Sequence, residues 1–267
     1  MQHAINGVKL HWREAGAGDP VVFIHGFPFR STMWGPQLEA VPDGWRFIAP
    51  DLRGFGESER GDAALTIDLF ADDVVRLLDH LAIDQAVICG LSMGGYVALS
   101  LATRYPDRLR ALVLIATRAS ADSDEGRANR KKLANEVRQH GPSPVVDSML
   151  PKLLTPETVS KRPEVVKQVR DMMLRTKPEG AAAALRGMAE RDDQTELLAK
   201  ISVPTLIIVG AGDAITPVAD SETMHQAIPG SRLVVLENAG HVSNLERTEQ
   251  FNDALVEFQT RISTDGP

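Results

Sequence analysis

A serine flanked by glycines is the residue of this sequence most suited to chemistry. Gly90 and Gly94 stand two positions before and two positions after Ser92. An apolar, β-branched run precedes them and a helix-like pattern follows, so the chain must turn sharply at the serine, between a strand and a helix. This geometry exposes the hydroxyl at a helix N-terminus, where negative charge is favoured. We therefore predict that Ser92 attacks carbonyl groups, the alternative being a buried capping serine.

A serine hydroxyl reacts readily only when a base removes its proton and a carboxylate orients that base. In open α/β sheets, functional residues gather beyond the carboxyl ends of the strands. Of the 7 histidines, His25 and His241 are the two that follow predicted strands immediately. We predict that His241 is the base, because it lies in a loop after Gly240. We predict a structural role for His25, with bonds to nearby backbone.

The carboxylate that orients the base must also follow a strand. Asp213 does so, because it lies in a glycine-bounded loop after the apolar run at 205–209. Glu237 is closer to His241 in sequence but lies at a strand end, and Glu246 falls in the next predicted helix. We therefore predict Asp213 as the orienting acid, with helix capping as the alternative.

A second aspartate, Asp51, also follows a predicted strand, at 46–50. Its neighbour Arg53 and the glycines of the following turn are typical of a structural turn rather than of a catalytic loop. We predict that an ion pair between the aspartate and this arginine holds the turn together.

Short apolar runs alternate with helix-like segments along most of the chain. This alternation predicts an α/β fold with a parallel sheet and helices on both of its faces. Strands are expected at 8–14, 21–24, 46–50, 86–89, 112–115, 205–209 and 233–236. Helices are expected at 66–81, from just after Ser92 to about 104, from the loop that ends at 217 up to 227, and from about 244 to 261. The tail at 263–267 is expected to be frayed.

Residues 117–195 interrupt this alternation. They contain no strand-like run, and their helical patterns, at 123–139, 144–154, 163–175 and 178–190, are separated by prolines. A long insertion without strands is expected to form a substructure rather than a loop. We predict a helical lid (cap) over the edge of a core formed by residues 1–116 and 196–267. The alternative is a helical layer that only covers the core.

Composition limits the classes of function. The 267 residues carry a net charge of −7 and are 43% hydrophobic, which suits one large domain and disfavours nucleic acid or a membrane as partner. No apolar run reaches the roughly 18 residues of a membrane span, and the first residues lack a signal-peptide pattern, so we expect a cytoplasmic protein. The single cysteine, Cys89, is interpreted as a core residue. The oligomeric state stays open.

Five segments carry a resemblance to a known family. They are His25-Gly26-Phe27-Pro28, the run at 51–58, Gly90-Leu91-Ser92-Met93-Gly94-Gly95, Gly212-Asp213 and Gly240-His241. On these motifs the chain resembles the α/β-hydrolases along nearly its whole length, and it is most similar to small serine esterases and 3-oxoadipate enol-lactonases. The resemblance implies a mostly parallel central sheet flanked by helices, with a helical lid inserted after the sixth strand. It also implies an oxyanion hole formed by the backbone N–H groups of Phe27 and Met93. Acyl transfer to a serine needs no metal, and the sequence has no Cys/His cluster with zinc spacing, so we expect no metal or other cofactor.

The predicted reaction is hydrolysis of carboxylic esters with short to medium acyl chains, through an acyl-enzyme intermediate. Ser92 attacks the ester, His241 carries the proton, and Asp213 orients the imidazole. Three alternatives stay open. They are a 3-oxoadipate enol-lactonase or other lactone hydrolase, a cofactor-free haloperoxidase (perhydrolase), and a small-molecule receptor with a hydrolase fold.

Apolar side chains of the predicted lid, and one after the oxyanion turn, are candidates for a substrate pocket. Methionines and leucines form apolar surfaces that adapt to ligands of different shape. The candidates are Trp34, Met149, Leu150, Leu153, Met172 and Met188. The alternative is that most of them pack the lid helices against each other.

Overall fold

The apolar runs of the sequence form the strands of one mixed sheet in the computed structural model, which describes residues 1–264. The strands are β1 (Gln2–Ile5), β2 (Val8–Gly16), β3 (Asp19–Ile24), β4 (Trp45–Pro50), β5 (Ala86–Leu91), β6 (Leu109–Ile115), β7 (Thr205–Gly210) and β8 (Arg232–Leu236). Their order across the sheet is β1-β2-β4-β3-β5-β6-β7-β8. The pairs β1–β2 and β2–β4 are antiparallel, and all pairs from β4 to β8 are parallel.

The central strands are covered on both faces, which explains their continuous apolar sequences. Every residue of β5 and β7 is buried, whereas β2 alternates between buried and exposed positions near the edge of the sheet. Cys89 lies opposite Phe23 on β3 and Val113 on β6 and is fully buried. Burial raises the pKa of its thiol well above the ordinary value. The interpretation of Cys89 as a core residue is confirmed.

Helices lie on both sides of the sheet, as the alternating pattern predicts. They are α1 (Gly35–Glu39), α2 (Ile67–His80), α3 (Met93–Arg104), α4 (Asp124–His140), α5 (Ser143–Leu153), α6 (Pro156–Lys161), α7 (Pro163–Leu174), α8 (Pro178–Ala189), α9 (Val218–Ala227), α10 (Ser243–Glu246) and α11 (Thr248–Thr264). Short 3-10 turns add Ser31–Trp34, Pro106–Arg108 and Thr195–Lys200. The predicted α/β fold with a mostly parallel sheet is confirmed.

Several element boundaries differ from the sequence prediction. The strand β1 and the helix α6 are additional, and the predicted helix at 244–261 is broken at Arg247, between α10 and α11. Of the predicted frayed tail, 263 and 264 belong to α11, whereas 265–267 lie outside the described residues. Within residues 1–264, no helix has both the length and the apolar composition that crossing a membrane would require.

The segment between β6 and β7 is helical, from α4 to α8, and it packs on loops of the sheet-forming part of the chain. A Cβ atom placed on Gly187 of α8 would lie 1.9 Å from the backbone oxygen of Leu65, just before α2. A Cβ atom on Gly180 would lie equally close, 1.9 Å, to the backbone oxygen of Gly54. Backbone therefore touches backbone where α8 meets the rest of the molecule.

Candidate active site

The turn between β5 and α3 holds Ser92 in a conformation that few residues adopt. Its φ of +55° and ψ of −112° lie outside the ordinary regions for residues with a Cβ atom. The Ser92 N–H donates to the Ile115 backbone oxygen at 2.9 Å, and the Thr117 hydroxyl donates to the Ser92 backbone oxygen at 2.9 Å. Hydrogen bonds with the end of β6 and the residues just after it therefore hold both the N–H and the carbonyl oxygen of Ser92 in place.

The glycines around this serine are required by close packing. A Cβ atom on Gly94 would lie 2.2 Å from the Ile24 backbone oxygen, and one on Gly90 would lie 2.1 Å from the Gly94 backbone oxygen. Both distances are far below van der Waals contact, so only glycine fits at these positions. The sharp strand-to-helix turn expected from the sequence is therefore present.

Asp213 and His241 meet beyond the carboxyl ends of β7 and β8. The Nδ1 atom of His241 lies 2.8 Å from Oδ2 and 3.0 Å from Oδ1 of Asp213. Both side chains are buried, with 1% and 0% of the imidazole and the carboxylate exposed. Asp213 and His241, selected from the sequence by their positions after strands, are therefore in direct contact.

The environment of Asp213 favours its charged form. Burial raises the pKa of this carboxyl, but the nearby His241 and hydrogen bonds from Thr216 outweigh burial, so the pKa lies below its ordinary value. One oxygen accepts the backbone N–H groups of Ile215 and Thr216 at 2.8 and 3.0 Å. The other accepts the Thr216 hydroxyl at 2.7 Å. An ionised carboxylate can only accept hydrogen bonds, which assigns the ring proton of His241 to Nδ1.

The opposite ring nitrogen of His241 is consequently an acceptor. Within residues 1–264, Nε2 is buried and has no hydrogen-bond partner. A buried ring nitrogen without a partner is uncommon and calls for an explanation by function or by a bound molecule. The Ser92 hydroxyl follows β5 at the same edge of the parallel sheet. Among the described residues, no hydrogen bond joins this hydroxyl to Nε2 of His241.

The turn after β3 lies against the serine turn. A Cβ atom on Gly26 would lie 3.4 Å from the Ser92 Cβ atom and 3.1 Å from the Leu91 backbone oxygen. Phe27 follows directly, and its backbone N–H has no acceptor within residues 1–264. Met93 is the first residue of α3, so its N–H has no acceptor within the helix. Two backbone donors therefore belong to the two turns that meet at Ser92.

His25 has the structural role predicted for it. Its Nδ1 lies 3.0 Å from the Gly26 backbone oxygen, and its Nε2 accepts the Leu52 N–H at 3.0 Å. Burial lowers its pKa, so the ring is held neutral with the proton on Nδ1. The imidazole ties the turn after β3 to the turn after β4.

Asp51 is also structural. Its carboxylate accepts the backbone N–H groups of Ser31 and Glu57 at 2.7 and 2.9 Å and lies 2.9 Å from Nδ1 of His11. Burial raises the pKa of this carboxyl, but the hydrogen bonds from Glu57 and Ser31 outweigh burial, so the pKa lies below its ordinary value. Both oxygens of the carboxylate are thus used to order the turn.

The predicted ion pair between Asp51 and Arg53 is wrong. Arg53 instead forms a buried pair with Asp73 of α2, and it donates to the Asn6 backbone oxygen at 3.0 Å. The arginine is long enough to leave its own turn and reach a carboxylate on the adjacent helix. Asp51 is nearer to Arg53 in sequence and was therefore predicted as its partner, but the oxygens of Asp51 already accept backbone N–H groups.

Two of the predicted pocket residues have contacts typical of packing. Trp34 is fully buried, with its ring 5.0 Å from that of Phe23 and 6.2 Å from that of Phe251. Met188 is buried in α8, and its sulfur accepts an N–H of Arg130 at 3.4 Å. Both side chains join elements of the fold to each other.

The other predicted pocket residues lie on α5 and α7. Met149 and Leu150 are half-buried, and Leu153 is buried at the end of α5. The Leu153 backbone oxygen accepts the His241 N–H at 3.0 Å, so this end of α5 touches the histidine loop. Met172 on α7 lines a cavity of about 270 Å³ together with Arg30, which follows the turn after β3.

Two residues in contact with this site were not selected from the sequence. Thr216 binds the carboxylate of Asp213, and Glu246 accepts the Gly240 N–H at 2.6 Å. The spacing of aspartate and threonine within one turn was a usable signal, because such side chains often bond to groups two or three residues on. Glu246 was predicted to lie in a helix, and that position gave no indication that its side chain would contact Gly240.

Comparisons with known proteins support the same fold. The structure is similar to that of a thermophilic esterase from Thermogutta terrifontis, with 42% identity, a TM-score of 0.95 and 98% of each chain covered. It is similar to the enol-lactonase from Burkholderia xenovorans LB400, with 33% identity, a TM-score of 0.91, and 97% of this chain and 100% of that chain covered. The sequence is 33% identical to 3-oxoadipate enol-lactonase 2 of Acinetobacter baylyi over 96% of this chain and 95% of that protein. A family model described as the alpha/beta hydrolase fold matches residues 19–248, and the chain therefore belongs to the α/β-hydrolase family.

Proposed function

We propose that this protein is a serine hydrolase that cleaves carboxylic esters of short to medium acyl chain. The observation that carries the proposal is the buried Asp213–His241 pair, whose free Nε2 belongs to the same edge of the sheet as Ser92. Esterases and enol-lactonases of similar sequence and structure support this reaction class. Ser92 is the proposed nucleophile, His241 the base and Asp213 the orienting acid.

The reaction proceeds by two acyl transfers. In the first, the Ser92 oxygen bonds to the ester carbonyl carbon while its proton passes to Nε2 of His241. The imidazolium then gives this proton to the departing alkoxide, which leaves as the alcohol. In the second transfer, the same nitrogen takes a proton from water, and the resulting hydroxide attacks the acyl-enzyme. The bond between the acyl carbon and the Ser92 oxygen then breaks, the imidazolium returns its proton to that oxygen, and the acid is released.

The tetrahedral intermediates carry a negative oxygen that needs hydrogen-bond donors. We assign this role to the backbone N–H groups of Phe27 and Met93. Their support comes from the contact between Gly26 and Ser92 and from the position of Met93 at the start of α3. Loss of one such donor typically raises the barrier by about 3 kcal/mol.

The helices between β6 and β7 are the proposed lid, residues 117–195, over a core of residues 1–116 and 196–267. The contact between Leu153 and the histidine loop supports a pocket on this side of the sheet. Met149, Leu150, Leu153 and Met172 are the proposed apolar lining for the acyl or alcohol part of the substrate. The packing contacts of Trp34 and Met188 favour supporting roles behind that lining.

Lactone hydrolysis is the second candidate, favoured by the enol-lactonases among the similar proteins. A lactone is a cyclic ester, so the same residues would open it by the same steps, with the alcohol remaining attached to the acid. The two candidates therefore differ in substrate shape and not in catalytic machinery.

Turnover of p-nitrophenyl acetate and butyrate, alongside a series of lactones and an enol-lactone, tests the proposal. We expect continuous release of product by the wild-type protein, and a loss of about 10⁴–10⁶-fold in kcat for Ser92→Ala. Ser160→Ala, an exposed serine on α6, is the matched control and should keep full activity. Undiminished turnover by Ser92→Ala would refute the mechanism, and binding without turnover would favour a receptor.

A further inference from the structure

A buried carboxyl group connects the histidine loop to the helices between β6 and β7. Glu246, at the end of α10, is 0% exposed. One of its oxygens accepts the Gly240 N–H at 2.6 Å, directly before His241. The other accepts the backbone N–H and the hydroxyl of Thr155, at 2.8 and 3.1 Å. The side chain therefore bridges two segments that are far apart in sequence.

The partners of this carboxyl are neutral donors. Among the described residues, no basic side chain lies within ion-pair distance of its oxygens. The guanidinium of Arg162 reaches the same residue but donates to its backbone oxygen, at 2.7 Å. Hydrogen bonds from N–H groups to a carboxylate are shorter and stronger than neutral ones. A buried group satisfied in this way holds its donors in one geometry.

A second contact makes the bridge rigid. The Leu153 backbone oxygen accepts the N–H groups of His241 at 3.0 Å and Val242 at 3.4 Å. A Cβ atom on Gly240 would lie 2.8 Å from that Leu153 oxygen and 2.9 Å from Oε2 of Glu246, so the loop lies against both groups. The backbone on both sides of the histidine is thus fixed by the end of α5 and by one carboxyl group.

We infer that Glu246 is a positioning residue that sets the place of the His241 ring through the Gly240 N–H. It also couples that place to the α5–α6 junction through Thr155. This inference rests on the proposed function, in which Nε2 of His241 must reach the serine hydroxyl. Displacement of a catalytic group by about 1 Å can cost about 100-fold in rate, so the anchor of this loop matters for chemistry.

The variant Glu246→Gln tests the inference, with Glu249→Gln as the matched control on the exposed start of α11. The amide of glutamine presents one acceptor and one donor, so it cannot accept from both segments. We expect kcat to fall by about 10–100-fold with KM little changed in Glu246→Gln, and no change in the control. Thermal melting checks that both variants are folded at the assay temperature.

The second readout does not depend on turnover. The proton on Nδ1 of His241, held by Asp213, gives a far-downfield NMR resonance that is assigned by its loss in His241→Ala. We expect this resonance to shift or broaden in folded Glu246→Gln and to stay in place in Glu249→Gln. An unchanged resonance together with an unchanged kcat would overturn the positioning role. Failure of the wild-type protein to hydrolyse any ester or lactone would instead refute the proposed function, and the resonance would still test the inference.

Discussion

At the scale of single residues, Asp213 shows how burial and hydrogen bonding act in opposite directions on one carboxyl group. Burial raises its pKa, whereas His241 and the backbone N–H and hydroxyl of Thr216 lower it, and the lowering effects prevail. The carboxylate stays charged and can accept only. It therefore fixes the tautomer of the imidazole and leaves Nε2 without a proton, as the proposed base requires.

Replacing Asp213 with asparagine should remove most of the activity. The amide can donate to Nδ1 and so favours the tautomer with the proton on Nε2, which cannot act as a base. We expect kcat for p-nitrophenyl butyrate to fall by about 10⁴-fold, as for the corresponding change in serine proteases. Asp84→Asn, an exposed aspartate before β5, should behave as the wild type. Near-normal kcat in Asp213→Asn would contradict the assigned role.

Asp51 predicts a pH dependence of stability. Its folded pKa lies below the unfolded value of about 3.9, so its hydrogen bonds stabilise the protein above that pH. This contribution is lost as the pH falls through the folded pKa. We expect Asp51→Asn to lower the free energy of unfolding by about 1–3 kcal/mol at pH 7.

Urea denaturation at neutral and acidic pH measures this effect. The difference between the wild type and Asp51→Asn should shrink below about pH 4, because protonated aspartate resembles asparagine. Asp43→Asn, an exposed aspartate before β4, serves as the control. A difference that is constant with pH would mean that the charge of Asp51 does not stabilise the turn.

At the scale of elements, α8 depends on two glycines where it meets the rest of the molecule. Cβ atoms on Gly180 and Gly187 would each lie 1.9 Å from a backbone oxygen, on Gly54 and Leu65 respectively. Backbone cannot move aside as a flexible side chain can. The position of α8, and with it that of the proposed lid, is therefore set by close backbone contact.

Alanine at either position should push α8 away from the loops at Gly54 and Leu65 on which it packs. We expect Gly180→Ala and Gly187→Ala each to destabilise the protein by about 1–3 kcal/mol or more, seen as a lower melting temperature. Gly35→Ala at the start of α1 is the control, because the nearest atom outside its own helix and chain neighbours would be Nη1 of Arg13, 3.9 Å from the new Cβ atom. Since alanine favours helix over glycine by about 1 kcal/mol, this variant should melt no lower than the wild type. Equal melting of all three would contradict the packing argument.

The sequence predicted those elements whose signals are local. The capping role of Thr66 and the helical spacing after it gave α2 within one residue. The strand β1 was missed, although the Asn6-Gly7 turn after it, with φ of +49° and +78°, is a strong hairpin signal. Its strand residues are mostly exposed and lack an apolar run, and its main support is pairing with β2.

The candidate site was predictable to the extent that strand ends define it. Asp213 and His241 were selected because each follows an apolar strand run, and they are in contact. The partners of Arg53 and Glu246 were not predictable. A long side chain can reach several groups, and only the fold determines which of them lies nearby. For the same reason, sequence alone could not place Trp34 against Phe251 of the last helix.

At the scale of the whole molecule, the proposed chemistry depends on the parallel part of the sheet. The turns after β3, β5, β7 and β8 all leave its carboxyl edge, and each carries at least one residue of the proposed site. The helices between β6 and β7 touch two of these turns. Thr176 donates to the Pro28 backbone oxygen, and Leu153 accepts from His241. Movement of these helices would therefore change the turn after β3 and the histidine loop together.

Covalent labelling tests the central claim, that Ser92 is a nucleophile activated by the His241–Asp213 pair. An alkyl fluorophosphonate captures an activated serine by displacement of fluoride, and intact-protein and peptide mass spectrometry locate the adduct. We predict a single adduct on Ser92 in the wild type, none in Ser92→Ala, and much slower labelling in His241→Ala. A folded wild-type protein that is not labelled, or that is labelled at another residue, would contradict the claim.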